Sequence, residues 1–296
     1  MVRKIKQLCP YVTFIPSFDK KIFKEVLPYS LNIFSFGLFQ FSVVHLRPVF
    51  LGIESTPDSI TDYRILDGIV RIVMMIGGAF MAVFLPSASK VVAMHNQNAQ
   101  NQIAYQGTKF ISIAICFCCF AMMSVSSEML TVYVGKDYLY LTIWLDLWLL
   151  STLATHNQAI SSLILAGADI RAITICTIVS STIGLVLTWY LIPMFDVGAT
   201  VIGYMVYSLT QILFYYLYYW PKVMRINSSK VFLSSFLPYA LTGGIISIIL
   251  KNISYDYISV WSILIMKGFL FCLLFIILTF YLLNEEDRKF VRKLIK

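Results

Sequence analysis

The sequence predicts an all-α polytopic transmembrane bundle of about eight spanning helices, with both termini in the cytoplasm. Three observations predict it. Of the 296 residues, 59% are hydrophobic and only 13% are charged, and the mean hydropathy is +0.79. The apolar residues gather into runs of about 20, the length that crosses a hydrocarbon core of about 30 Å at about 1.5 Å per residue. Once those runs are threaded back and forth, the cations fall almost wholly on one side. A soluble domain is about half apolar and a quarter charged, so no soluble core of this size hides so much apolar surface. The same composition excludes disorder.

The spans follow in order. Residues 1–28 are basic, are interrupted by Pro10, Pro16 and Pro28, and have no clean apolar core. No cleavable signal peptide is read there, and the first span, Tyr29 to about Ile53, serves as the insertion signal. The second runs from about Ile60 to Leu85, ended by Pro86, and the third from about Thr108 to Ser126. The fourth, about Tyr138 to Ala166, is long. The fifth, about Ile170 to Leu191, is stopped by Pro193, and the sixth, about Ala199 to Trp220, by Pro221. The seventh is about Val231 to Leu250 and the eighth about Tyr257 to Leu283. Helices are required because lipid cannot satisfy open backbone groups. A closed barrel would need alternating segments of about ten residues, and Leu273-Leu274-Phe275-Ile276-Ile277-Leu278 does not alternate. The chain thus divides into a basic interfacial segment (1–28), a six-helix lobe (29–220), two further spans (221–283) and a basic tail (284–296).

Orientation follows from the cations. With the N-terminus inside, Arg3, Lys4, Lys6, Lys20, Lys21 and Lys24 are cytoplasmic. So are Lys90, Lys109, Arg171, Lys222, Arg225, Lys230, Arg288, Lys289, Arg292, Lys293 and Lys296, whereas the outer loops carry Lys136 and Lys251. This is a strong positive-inside pattern, and it accounts for the net charge of +8 without nucleic acid as a partner. Both terminal segments mix cations with apolar residues, Phe14, Phe18 and Phe23 in one and Phe290 and Ile295 in the other. They read either as solvated topogenic flanks or as surfaces lying on the anionic membrane lipids of the inner leaflet.

The six cysteines, Cys9, Cys116, Cys118, Cys119, Cys176 and Cys272, lack zinc-site spacing and read as small apolar residues. No metal or other cofactor is expected. There is no Ser-His-Asp order in an outer domain and no phosphate-cradling glycine loop, and the loops are too short for an extramembrane active site, so the chain reads as a non-enzyme.

Ionisable residues inside spans cost at least a few kcal/mol each and usually face a bundle interior or a wet cavity. The second span carries Asp62, Arg64, Asp67 and Arg71, of which the last three share a face by their i,i+3 and i,i+4 spacing. Arg71 lies roughly 16 Å inward from Ile60 at about 1.5 Å per residue. These residues read as a cationic wall for an anion, moderated by Asp67, or as a self-neutralised ladder. Arg47, beside His45 and before Pro48, suits bidentate contact with a phosphate or snorkelling to the interface. In the fourth span Asp146 and Asn157, eleven residues apart, return to nearly one face and suggest a polar cavity wall with His156, Gln158 and Ser161, or interhelical hydrogen bonds. Within it, Asp146 or His156 is the candidate for proton or cation binding. Lys267, unpaired in sequence, calls for a partner across the bundle or a snorkelling stem.

Several local patterns have a familiar order. Leu85-Pro86-Ser87-Ala88-Ser89-Lys90 ends the second span, and Val134-Gly135-Lys136-Asp137-Tyr138 precedes the fourth. Leu191-Ile192-Pro193-Met194-Phe195-Asp196-Val197-Gly198-Ala199 joins the fifth to the sixth, and Tyr63-Arg64-Ile65 lies in the stretch Ile60 to Val70. This set resembles bacterial polysaccharide and O-antigen flippases of the multidrug/oligosaccharidyl-lipid/polysaccharide exporter superfamily, with Asp196 standing where that family's bend usually has glycine. The resemblance implies the second six-helix lobe plus the two extra helices of such a protein. It places Met1 in the inter-lobe linker, as in a fragment, a split gene product or a misassigned start. It implies a multi-pass protein of the bacterial inner membrane that flips a polyprenyl-pyrophosphate-linked oligosaccharide by alternating access, for lipopolysaccharide or other surface polysaccharide. Its partners would be that lipid-linked oligosaccharide, membrane lipids and an N-terminal lobe or other glycan-assembly membrane proteins. Arg64, Arg71 and Arg47 then suit the pyrophosphate, while Asp67 and Asp146 suit ion coupling or charge moderation. A non-transporting scaffold that needs a partner lobe is the alternative. A cation-coupled multidrug exporter is the third reading, and the arginines argue against it.

Overall fold

The computed structural model describes residues 19–167, 170–253, 259–285 and 287–288. Among these residues the chain is helical without strands, and eight helices are long and apolar enough to cross a membrane. They are α1 (Lys20–Glu54), α2 (Pro57–Ala93), α3 (Gln97–Ser124), α5 (Lys136–Ala166), α6 (Arg171–Phe195), α7 (Val197–Met224), α8 (Ser228–Lys251) and α9 (Val260–Leu282), with a short α4 (Ser126–Tyr133) between α3 and α5. The expected all-α polytopic bundle is therefore the observed one, and the chain is a multi-pass membrane protein. Large apolar side chains such as Phe34, Met75, Tyr190 and Phe269 stay more than half exposed on the outside of the bundle, where lipid would cover them.

Several boundaries differ from the sequence reading, each for a local reason. Pro86, Pro193 and Pro221 were expected to stop helices and instead lie inside α2, α6 and α7. A proline removes one N–H and crowds the preceding turn. Around Pro221 the chain relaxes into a π-helix, Tyr215–Met224, which widens the turn to admit the ring. Proline is tolerated in spanning helices where such local adjustments re-satisfy the freed carbonyls. α1 begins at Lys20 on an Asp19 cap, whose side chain accepts from the N–H of Lys21, so residues 20–28 extend the first span. The remaining interfacial segments, 1–18 and 289–296, lie outside the described residues. The residues after Ser126, read as connection, form α4. The turn beyond it holds Gly135 at φ 107°, which glycine adopts without a Cβ clash.

The helices sort into two groups. α6 packs most extensively on α7, α1 lies mainly on α6, and α2 lies on α5. Gly203 makes the α6–α7 approach: a Cβ there would stand 2.6 Å from the Gly184 carbonyl oxygen. α8 and α9 pack on α3 through Phe120, Tyr239, Ile246, Phe271 and Phe275. α1 and α2, although adjacent in sequence, touch only sparingly and splay apart. The upper end of the bundle is taken here as the end with the α1–α2 and α6–α7 turns.

That end is clasped by Asp196. Its backbone sits at φ 51°, a conformation that costs a residue with a Cβ about 1–2 kcal/mol. Its carboxylate accepts from Ser55 Oγ at 2.6 Å and Ser59 Oγ at 2.7 Å, tying the α6–α7 turn to the α1–α2 turn. The carboxylate thus offsets the strain of a residue with a Cβ at this φ. Asp196→Ala loses the clasp and keeps the strain, while Asp196→Gly loses the clasp and relieves the strain. The glycine variant is therefore expected to exceed the alanine variant by about 1–2 kcal/mol in thermal unfolding. Equal midpoints would show that the turn carries no strain.

Candidate functional site

The splay of α1 and α2 leaves a groove of about 310 Å³, lined by Val44, His45, Pro48 and Val49 from α1 and by Ile60, Tyr63, Arg64, Asp67 and Arg71 from α2. The helical spacing of Arg64, Asp67 and Arg71 brings all three to it, as the sequence predicts. Asp67 and Arg71 form an ion pair at 2.5 Å, yet the Arg71 side chain remains 53% exposed against 10% for Asp67. Arg64 is exposed, and among the described residues no carboxylate lies within ion-pair distance of it. The groove therefore carries two guanidinium groups against one carboxylate, with free N–H donors on an accessible wall. A guanidinium presents its donors in a planar fork that matches phosphate oxygens. The self-neutralised ladder read from the sequence holds for one of the two arginines.

Arg47 belongs to a different environment. It is 1% exposed, so it neither snorkels to an interface nor lines the groove. Its Nε donates to the Val43 carbonyl at 2.6 Å and its Nη1 to the Thr200 carbonyl at 3.2 Å. Its guanidinium carbon lies 5.7, 5.0 and 4.6 Å from the ring centroids of Tyr63, Trp148 and Tyr204. The cation is caged by three rings drawn from α2, α5 and α7. The Tyr63 ring belongs to both sites, lining the groove and closing the cage.

Asp146 is also placed apart from the groove. It pairs with Lys251 at the end of α8, and its Oδ1 is buried without a hydrogen-bond partner. The expectation that it shares a face with Asn157 fails because residues Leu153–Asn157 wind as a 3-10 helix. Five residues advancing about 120° each instead of about 100° rotate the far end by roughly 100°. Asn157 consequently faces a cavity between α1, α2, α5, α6 and α7, together with Gln158 and Ser161. His156, on the other side, is held by Tyr216 Oη at 2.6 Å and stacks on Phe236, which makes it an interhelical tether. Lys267 finds its partner across the bundle in Glu128 at 2.7 Å.

Sequence reasoning named Asp62 without its partner, and passed over Tyr204 and Glu128. Asp62 accepts from Tyr140 Oη at 2.6 Å at the upper end. Tyr204 both cages Arg47 and lines the cavity below it. Nothing in sequence spacing signals either contact, since the partners are far apart along the chain.

No curated protein and no solved structure matches the chain. Residues 8–142 match the model of a protein family described as "Polysaccharide biosynthesis protein". The matched region covers α1 to α4 and the start of α5, and with them the whole arginine groove, so the groove lies in the part of the chain that is similar to polysaccharide biosynthesis proteins.

Proposed function

We propose that the chain is the C-terminal part of a flippase that carries a polyprenyl-pyrophosphate-linked oligosaccharide across the bacterial inner membrane by alternating access. The observation that carries this reading is the open α1–α2 groove, where accessible Arg71 and Arg64 outnumber the single Asp67. The similarity of the same region to polysaccharide biosynthesis proteins supports it.

In this reading the pyrophosphate enters the groove as a dianion and takes hydrogen bonds from both guanidinium groups. Asp67 holds Arg71 while the groove is empty and yields it to the phosphate. The carboxylate released from Arg71 is then free to bind a proton or a cation, which makes Asp67 the candidate for ion coupling. A groove lined by arginine disfavours drug cations through like-charge repulsion. The splayed α1–α2 face is the one against which a second lobe would close and rock.

Arg71→Ala is expected to lower surface-glycan export at least tenfold in a strain that depends on this chain, with membrane insertion unchanged. Export is scored by immunoblot of surface polysaccharide, and insertion by membrane fractionation. Undiminished export in Arg71→Ala and Arg64→Ala would remove the cationic wall from the mechanism. Expression with and without a separate first lobe distinguishes a transporting half from a scaffold.

A further inference from the structure

The cavity below the Arg47 cage has a chemistry that the pyrophosphate reading does not use. It measures about 240 Å³ and lies between α1, α2, α5, α6 and α7, open on the side of the exposed Gln40. Among the described residues it is lined by no charged side chain. Its polar lining includes four amides, Gln40, Asn157, Gln158 and Gln211, and hydroxyls such as those of Ser161 and Tyr207. Gln158 Oε1 is buried without a hydrogen-bond partner, and Asn157 is only 6% exposed. Gln211 Nε2 donates to Thr177 Oγ1 at 3.2 Å, which leaves its carbonyl oxygen for other partners.

A buried acceptor without a donor is costly, by about 1–3 kcal/mol, unless water or a ligand supplies one. A spanning bundle would not keep four amides around one space for packing alone, because apolar residues fill such space at lower cost. The lining also selects by charge. An anionic group would meet no cation inside the cavity, and a metal ion would meet no carboxylate. A neutral group rich in hydroxyls or carrying an acetamide fits both demands, since it donates to Gln158 Oε1 and accepts from the amide NH₂ groups. The Tyr207 and Phe36 rings in the wall add apolar surface for the carbon face of such a group.

We propose that this cavity binds a neutral sugar ring and excludes uronic-acid or otherwise anionic sugars. The proposal rests on the flippase reading for the source of the sugar and adds to it a specificity site inside the lobe. Tyr204, shared with the Arg47 cage, makes the cavity wall continuous with the cationic part of the molecule.

The test is binding, not export. The purified full chain in lipid nanodiscs is presented with N,N′-diacetylchitobiose, and separately with a glucuronic acid–N-acetylglucosamine disaccharide. Binding is read by saturation-transfer NMR. The neutral disaccharide is expected to receive saturation and the acidic one to receive none. Gln158→Leu is expected to weaken the neutral disaccharide at least tenfold. Ser161→Leu, on the next turn of α5, is expected to do the same and decides the question if Gln158→Leu fails to fold. Equal saturation of both sugars, no saturation of either, or wild-type affinity in the folded variant overturns the proposal. Chitobiose binding by the chain, alongside surface-glycan export that is unchanged when the chain is deleted, would sink the flippase reading alone. Loss of export in Arg71→Ala without chitobiose binding would sink the sugar cavity alone.

Discussion

Lys267→Met is expected to lower the stability of the bundle by about 3 kcal/mol, because it strands Glu128 as a largely buried carboxylate. The Lys267 side chain is 4% exposed and that of Glu128 15%. Neither charge is tolerable alone at that depth, and their 2.7 Å bond joins α9 to the short α4. Glu128→Met is expected to be the more damaging change, since it leaves the deeper charge without a partner while Glu128 retains the Ser127 hydroxyl at 2.9 Å. Replacing both residues with methionine removes both stranded charges and is expected to recover most of the loss. Burial by itself would raise the Glu128 carboxyl. The Lys267 ammonium, the backbone N–H of Glu128 and the Ser127 hydroxyl outweigh it and hold the carboxyl below its ordinary value of 4.5. A lowered value in the folded state means that the stabilisation is complete above the ordinary value and is lost as the pH falls through the lowered one. In Lys267→Met the sign reverses: protonation relieves the stranded carboxylate. The gap between wild type and variant should therefore begin to narrow above about 4.5, where the stranded carboxylate takes up its proton, and narrow further below it as the wild type loses its own stabilisation. Thermal inactivation midpoints in detergent at pH 7 and pH 4 read the effect. A constant gap across that range would show that the charge of Glu128 does not carry it.

The same residues show why some of this architecture was legible in the sequence and some was not. The eight spans depend on the length and composition of continuous segments, which the bilayer reads one at a time. They could therefore be placed without knowing any contact. The proline stops were misread because that rule comes from helices whose freed carbonyls face water. Here α2, α6 and α7 run through Pro86, Pro193 and Pro221. The groove was legible for the same reason as the spans: Arg64, Asp67 and Arg71 lie on one helix, and helical period alone sets their common face. Asp146 and Asn157 lie on one span too, but the 3-10 turn between them is invisible to a constant period. Glu128 was passed over because it sits in a stretch read as connection. The partners of Arg47 come from helices remote in sequence, and without tertiary packing they leave no local trace.

Arg47 supplies the other large expected effect, and its direction depends on the replacement. Desolvating a guanidinium costs several kcal/mol. Here two carbonyl hydrogen bonds and three aromatic faces offset that cost, with no carboxylate among the charged partners of the described residues. Arg47→Ala leaves a void among Tyr63, Trp148 and Tyr204 and unties α1 from the Thr200 carbonyl. A loss of about 3–5 kcal/mol is expected, as for other large-to-small changes at fully buried sites. Arg47→Met fills the same space without a buried charge and is expected to stay within about 1 kcal/mol of wild type, because a well-packed apolar replacement avoids the desolvation cost. Arg47→Lys falls between them: it keeps a cation against the rings and loses the planar fork that reaches both carbonyls. Thermal midpoints of the three variants in nanodiscs should therefore rank methionine, lysine, alanine from highest to lowest. The methionine variant also separates structure from transport. If it folds and exports glycan normally, Arg47 serves packing alone, and the pyrophosphate is left to Arg64 and Arg71. If it folds and export falls tenfold or more, the caged cation must be released toward the substrate during the cycle, since it is sealed from the groove in this conformation.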